Sequence, residues 1–172
     1  MYTVGENDRV EELKDVPQSD VGAPLPVVLA DEHRLYLAYL VSEPDPNWDG
    51  SYINMISPDT DGTVAVVTFD RPALHMFGPP NDEAFGGHPL ANRGLRPYSV
   101  NEIHNSSWVQ RRIEMNRIHR MHQDSMFDGM RHFIFAFHDS TFECLADDFS
   151  VSLFRGSILA ATEHMLGLLA DR

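Results

Sequence analysis

From Leu25 onward the chain alternates short apolar runs with turn-forming residues, the signature of strands rather than of long helices. Pro26-Val27-Val28-Leu29-Ala30 and Leu35-Tyr36-Leu37-Ala38-Tyr39-Leu40-Val41 flank the polar Asp31-Glu32-His33-Arg34 and predict a β-hairpin. Residues 44–62 hold Pro44, Pro46, Pro58, Asp49-Gly50 and Asp61-Gly62, and predict a loop with a short strand at 52–56. A second hairpin is expected from Thr63–Phe69 and Ala73–Phe77 around Asp70-Arg71-Pro72. Arg131 to Ala146 reads as one long strand. Its Phe133, Phe135 and Phe137 share a face predicted to pack on a helix, with Ile134, Ala136, His138, Ser140 and Phe142 opposite. A turn at Asp147-Asp148 then leads into a strand over Phe149–Phe154.

Two segments switch to helical periodicity. Ser107-Trp108-Val109-Gln110 has capping-box spacing and starts a predicted helix over 107–122. Gly156-Ser157 introduces a second over 157–170, with Ile158, Ala161, Met165 and Leu169 on one face. Between Gly78 and Ser106 the glycines and prolines interrupt any regular element, and a long irregular connection of this kind is a place to look for function. The predicted class is α+β: an antiparallel sheet of five to seven strands built from hairpins, covered by two helices. Residues 1–24, acidic and poor in apolar side chains, read as a flexible tail, and 25–172 as one globular domain.

Charge narrows the partners. Residues 1–87 carry 16 acids against 4 basic residues, whereas 88–132 carry 7 arginines against 4 acids. The net charge of −13 repels polyphosphate, which excludes nonspecific nucleic-acid binding. No apolar run is long enough to span a bilayer. The only cysteine, Cys144, excludes an internal disulfide and fits a reducing, cytoplasmic setting. A homodimer is the default assembly for such a chain.

No strong catalytic or nucleotide-binding motif is present, so the chemistry rests on constellations. His138, with Asp139 or Glu143 to orient it, is a candidate general acid or base, and Ser140 shares its face. Gly86, Gly87, His88 and Arg93 form a candidate anion-binding loop, in which backbone amides and a guanidinium meet a carboxylate or phosphate. His119 and His122, three apart on the predicted helix, are candidate ligands for a divalent metal, though nothing in the sequence requires a cofactor. Two functional expectations follow. One is a small cytosolic binding or accessory protein whose acidic surface meets a macromolecular partner. The other is a small hydrolase or lyase that acts on an anionic substrate through the histidine–carboxylate pair and the Gly/Arg loop.

Overall fold

Nine strands and two α-helices form among the residues that the computed structural model describes, 3–43 and 55–170. The strands are β1 (Arg9–Glu12), β2 (Val27–Ala30), β3 (Leu35–Leu40), β4 (Gly62–Asp70), β5 (Leu74–Gly78), β6 (Val100–His104), β7 (Arg131–Ala136), β8 (Thr141–Ala146) and β9 (Asp148–Gly156). The helices are α1 (Ser107–Asn116) and α2 (Ile158–Ala170). The α+β class expected from the sequence is the one observed. Every strand pair is antiparallel, and the strands divide between two sheets, ordered β1-β6-β7-β8-β5 and β2-β3-β4-β9.

The packing explains the unbroken apolar runs. Leu35, Leu37 and Tyr39 of β3 and Ala65, Val67 and Phe69 of β4 face Phe133, Phe135, Phe142, Cys144 and Ala146 across the gap between the sheets. The opposite face of β3 and β4 buries Tyr36, Ala38, Leu40, Val64 and Val66 under Ile158, Ala161 and Met165 of α2. The outer face of the larger sheet is covered twice, by Phe85, Leu90 and Leu95 from the irregular connection and by Trp108, Val109 and Ile113 of α1. A strand covered on both faces gains from apolar side chains at every position, so β3 and β7 lose the alternation of a half-exposed strand. The C-terminal helix follows expectation. Ser157 caps it through Ala160 N–H (3.2 Å), and Leu169 packs beside its predicted partners. Gly156 makes the turn into it at φ +145°, where a Cβ would lie 2.9 Å from the Phe154 ring.

Several expectations are corrected. β2 and β3 form the predicted hairpin, but β4 and β5 lie in different sheets. Arg71, at φ +45°, and Pro72 carry the chain across the gap instead of folding it back. The long strand over 131–146 is two strands joined at His138-Asp139, with Phe137 N–H bonded to Ser140 O (2.8 Å). Phe133, Phe135 and Phe137 therefore pack on the other sheet, not on a helix. The first helix stops at Asn116 rather than 122, and its cap is Ser106, which accepts from Val109 N–H; the Ser107 hydroxyl bonds to Asp8 instead. The strand expected at 52–56 falls mostly outside the described residues.

The acidic N-terminal segment, read as a tail, is also placed differently. Arg9–Glu12 extends the larger sheet by pairing with β6, and Asp8 is buried against the start of α1. Val10, Leu13 and Val16 supply apolar anchors that the surrounding carboxylates obscure in the sequence. No helix among the described residues is long and apolar enough to cross a membrane.

Candidate functional site

The outer face of the larger sheet holds a buried polar chain that connects three distant parts of the sequence. His132, on β7, and Glu143, on β8, point outward from neighbouring strands, and His132 Nε2 lies 3.1 Å from Glu143 Oε1's companion oxygen, Oε2. The irregular connection delivers His88 to the other oxygen, Nε2 to Oε1, also at 3.1 Å. Ser106 meets His132 Nδ1 from the start of α1 at 2.9 Å. Phe85 stacks on the His88 ring at 5.6 Å, and Trp108 sits edge-on to His132 at 5.1 Å. Both imidazoles are fully shielded from water.

Hydrogen bonding assigns the protons. Leu90 N–H donates to His88 Nδ1 (3.1 Å), so His88 carries its proton on Nε2 and donates to Glu143. Burial pushes the His132 imidazole below its ordinary range, against the opposing pull of Glu143. The neutral ring therefore donates from Nε2 to Glu143 and accepts the Ser106 hydroxyl proton at Nδ1. The order hydroxyl, imidazole, carboxylate is that of a nucleophilic relay. Ser106 is buried, however, and its oxygen also accepts the capping bond of α1. In this arrangement the chain acts as a clamp that ties α1 and the 85–95 segment to the sheet.

This clamp makes stability depend on pH in a definable window. Because the folded ring holds its proton less tightly than the unfolded one, the unfolded state takes up more protons as pH falls below about 6.5. Folding stability should decline from there toward lower pH, by at most about 1.4 kcal/mol per pH unit for this one group. Scanning calorimetry between pH 7.5 and 5.5 should show the midpoint falling, and His132→Gln should flatten that dependence. A slope identical in the variant would exclude His132 as its source.

The other predicted residues separate into distinct places. His138, in the turn between β7 and β8, is 38 % exposed and does not meet Glu143. Its Nδ1 lies 3.0 Å from Asp82 Oδ2 and 2.9 Å from the Tyr98 hydroxyl, which itself donates to Asp82. The Tyr98 bond and then His138 hold the Asp82 carboxyl below its usual range, while Tyr98 is pushed up to about 12, first by that same bond. Asp139 is exposed, with Oδ1 3.9 Å from His138 Nε2, and Ser140 closes the turn through its carbonyl.

Gly86 and Gly87 lie in a single 3-10 turn, where Gly87 N–H donates to Ala84 O and His88 N–H to Phe85 O, both at 2.9 Å. These amides are spent within the turn and form no anion nest. Arg93 Nη1 donates to the carbonyls of Glu6 (2.8 Å) and Asp8 (2.9 Å) and fastens the N-terminal segment. His119 and His122 fall beyond the end of α1. His122 is held by Asp124 (2.6 Å) and Asn116 (3.0 Å), while His119 Nδ1 accepts from Met121 N–H. Among the described residues no group of three or more His, Cys, Asp or Glu side chains is arranged to hold a metal ion. Cys144 is buried, and burial pushes its thiol well up, away from nucleophilic character.

Of the residues expected to converge, His88 and Glu143 do so, while His138 and Arg93 stand apart. His132, Ser106, Asp82 and Tyr98 were missed. A signal for the first exists: His132 has the same parity as Ile134 and Ala136, which makes it a polar residue on an otherwise apolar face. No family model, no curated protein and no solved structure matches the chain.

Proposed function

We propose that this is a small cytosolic binding or accessory protein that docks an acidic protein partner through the end of α1 and the segment that follows it. The observation that carries this reading is a run of exposed apolar side chains, close in sequence, on a basic stretch of an otherwise acidic chain. Ile118 is 92 % exposed and Met121 73 %, with Met115 and Met126 also exposed beside them in sequence. Arg111, Arg112, Arg117 and Arg120 share the segment with only Glu114 and Asp124. Methionine and arginine are enriched at protein interfaces, and grouped exposed apolar side chains mark contact surfaces. His122, bonded to Asp124 and Asn116, and the exposed Arg117–Asp124 pair (3.0 Å) link the segment to itself and to the end of α1. The partner's chemistry follows: carboxylates to meet the arginines, and apolar pockets for Ile118 and Met121.

A photo-reactive residue in place of Met121, introduced in the native cell, tests this. The expected product joins this chain to an acidic segment of one partner and disappears with Arg120→Glu, which leaves the melting temperature unchanged. No product, a product insensitive to the charge reversal, or a crosslink to a second copy of this chain would overturn the reading.

A second reading, enzymatic, rests on His138. With Nδ1 engaged by Asp82, its Nε2 faces outward as the proton-accepting atom of a hydrolase or lyase. Arg93 and the Gly86-Gly87 turn, being otherwise engaged, lend no support for an anionic substrate.

A further inference from the structure

Each sheet ends in two edge strands, and three of the four edges are short. β1 is four residues long and three of them are charged, β2 is four residues long and follows Pro24 and Pro26, and β5 is five residues between Pro72 and Pro79-Pro80. Shortness, charge and flanking proline are the usual means by which an edge avoids pairing with another chain. β9 differs. It runs nine residues in unbroken register with β4, from Gly156 opposite Gly62 to Asp148 opposite Asp70. Its only charged residues, Asp148 and Arg155, stand at its two ends. No strand among the described residues pairs with its outer side.

The ladder shows which backbone groups face outward. Val41 N–H donates to Thr63 O (2.9 Å), so odd-numbered residues of β4 bond to β3 and even-numbered ones to β9. Their partners Ser150, Ser152 and Phe154 turn N–H and C=O toward β4, which puts those of Val151, Leu153 and Arg155 on the outer edge. Phe149 faces outward too, with its N–H held by the Asp148 carboxylate (2.9 Å). Leu153 shares parity with Phe149 and Val151, which pack against the core between the sheets, yet it is 62 % exposed. The larger sheet does not cover β9 at that point.

We infer that this edge is a self-association site, at which β9 pairs antiparallel with β9 of a second copy about a two-fold axis at Ser152. The two four-stranded sheets then become one continuous sheet. The residues set the register. Centring on Ser152 engages all nine positions, with Gly156 opposite Asp148 and Arg155 opposite Phe149 of the second copy, and a shift either way leaves end residues unpaired. Val151 and Leu153 form the hydrogen-bonded pairs beside the axis, so the exposed Leu153 gains an apolar cross-strand neighbour. Arg155 of each copy comes beside the Phe149 ring and the Asp148 carboxylate of the other, which brings opposite charges together at both ends. This match of the edge to itself favours a second copy over an unrelated strand. The surface is separate from the basic segment after α1, since α1 packs on the other sheet.

Sedimentation equilibrium and cysteine crosslinking of the full chain test the inference. At about 100 µM the chain should sediment with twice its own mass, and Ser152→Lys should weaken association about tenfold or more by setting two ammonium groups against each other across the axis. Ser152→Cys should form a disulfide-linked dimer on mild oxidation, because facing residues of a non-hydrogen-bonded pair lie about 4.5 Å apart between Cα atoms. Ser150→Cys, on the same face but about 13 Å from its counterpart, should not. The unsubstituted chain should stay uncrosslinked, since Cys144 is buried. Both serines are exposed, so the circular dichroism spectra of the variants should match that of the parent. A monomer at that concentration, association insensitive to Ser152→Lys, no crosslink through Ser152→Cys, or an equal one through Ser150→Cys would each overturn it.

Discussion

Glu143→Ala should lower the free energy of unfolding by about 3–5 kcal/mol, the range for removing one partner from a buried charged network. The cost does not come from the volume lost. His88 and His132 both present Nε2–H to this carboxylate in a region closed to water, and alanine leaves both donors without it. Neither ring escapes easily by shifting its proton, because His88 Nδ1 already accepts from Leu90 and His132 Nδ1 from Ser106. Glu143→Gln should be intermediate. One amide oxygen replaces one carboxylate oxygen, but the amide NH₂ then opposes an imidazole N–H. Urea titration of the three proteins gives the ordering directly. A loss below about 1 kcal/mol for alanine would mean that water reaches both histidines and that the clamp contributes little.

Phe135→Ala should cost a similar amount, about 3–5 kcal/mol, for an unrelated reason. Phe135 is fully buried at the centre of the sandwich, with Phe149 at 5.5 Å, Phe69 at 6.0 Å, Phe142 at 6.1 Å and Tyr39 at 6.3 Å between ring centroids. These partners come from both sheets, and β-strands with paired hydrogen bonds cannot move inward to fill the space. The cavity term therefore persists. The loss should show as a shift of the denaturant midpoint with an unchanged slope, since the surface exposed on unfolding stays nearly the same. A cost under about 1 kcal/mol would place this phenylalanine on an exposed face.

The two predictions also mark what was legible in the sequence. The β2–β3 hairpin and α2 were readable because their signals are local: a short polar break between apolar runs, and a 3.6-residue stripe after Gly156-Ser157. The split of β4 from β5 was not, because a turn that reverses the chain and one that crosses to another sheet use the same residue types. The turn at His138-Asp139 was hidden for lack of glycine or proline. A clue was still present, in that the inward phenylalanines are odd-numbered through Phe137 and even-numbered from Phe142. That change of parity fits a turn or a bulge between them, and the structure has the turn.

The candidate site was half legible. A histidine and a glutamate amid aromatic strands did point to a buried polar feature, and His88 and Glu143 do meet. The assignment of His138 to the site rests on reading 131–146 as one strand, without the turn. In a single long strand His138 would be the polar intruder, whereas in the hairpin it is a rim residue with Asp82 and Tyr98 as neighbours. The bonds from Arg93 to the Glu6 and Asp8 carbonyls are not legible from a sequence whose first 24 residues read as a tail.

The two crossings between the sheets that follow β4 and β8 lie side by side, with Asp147 N–H bonded to Asp70 O (2.9 Å) and Arg71 paired with Asp147. The molecule is thus bound like a book, with its spine at this corner. Two covalent passages hold the spine, whereas among the described residues the fore-edge is fastened by residues 13–20, through Leu13 N–H to Val100 O and Asp20 N–H to Leu40 O. Opening motions have to begin where the fewest bonds must break, so the covers part at the fore-edge first. The hydrogen-bonded amides of Leu13, Asp20 and Ser42 should then exchange with solvent before those of β4 and β9 next to the spine.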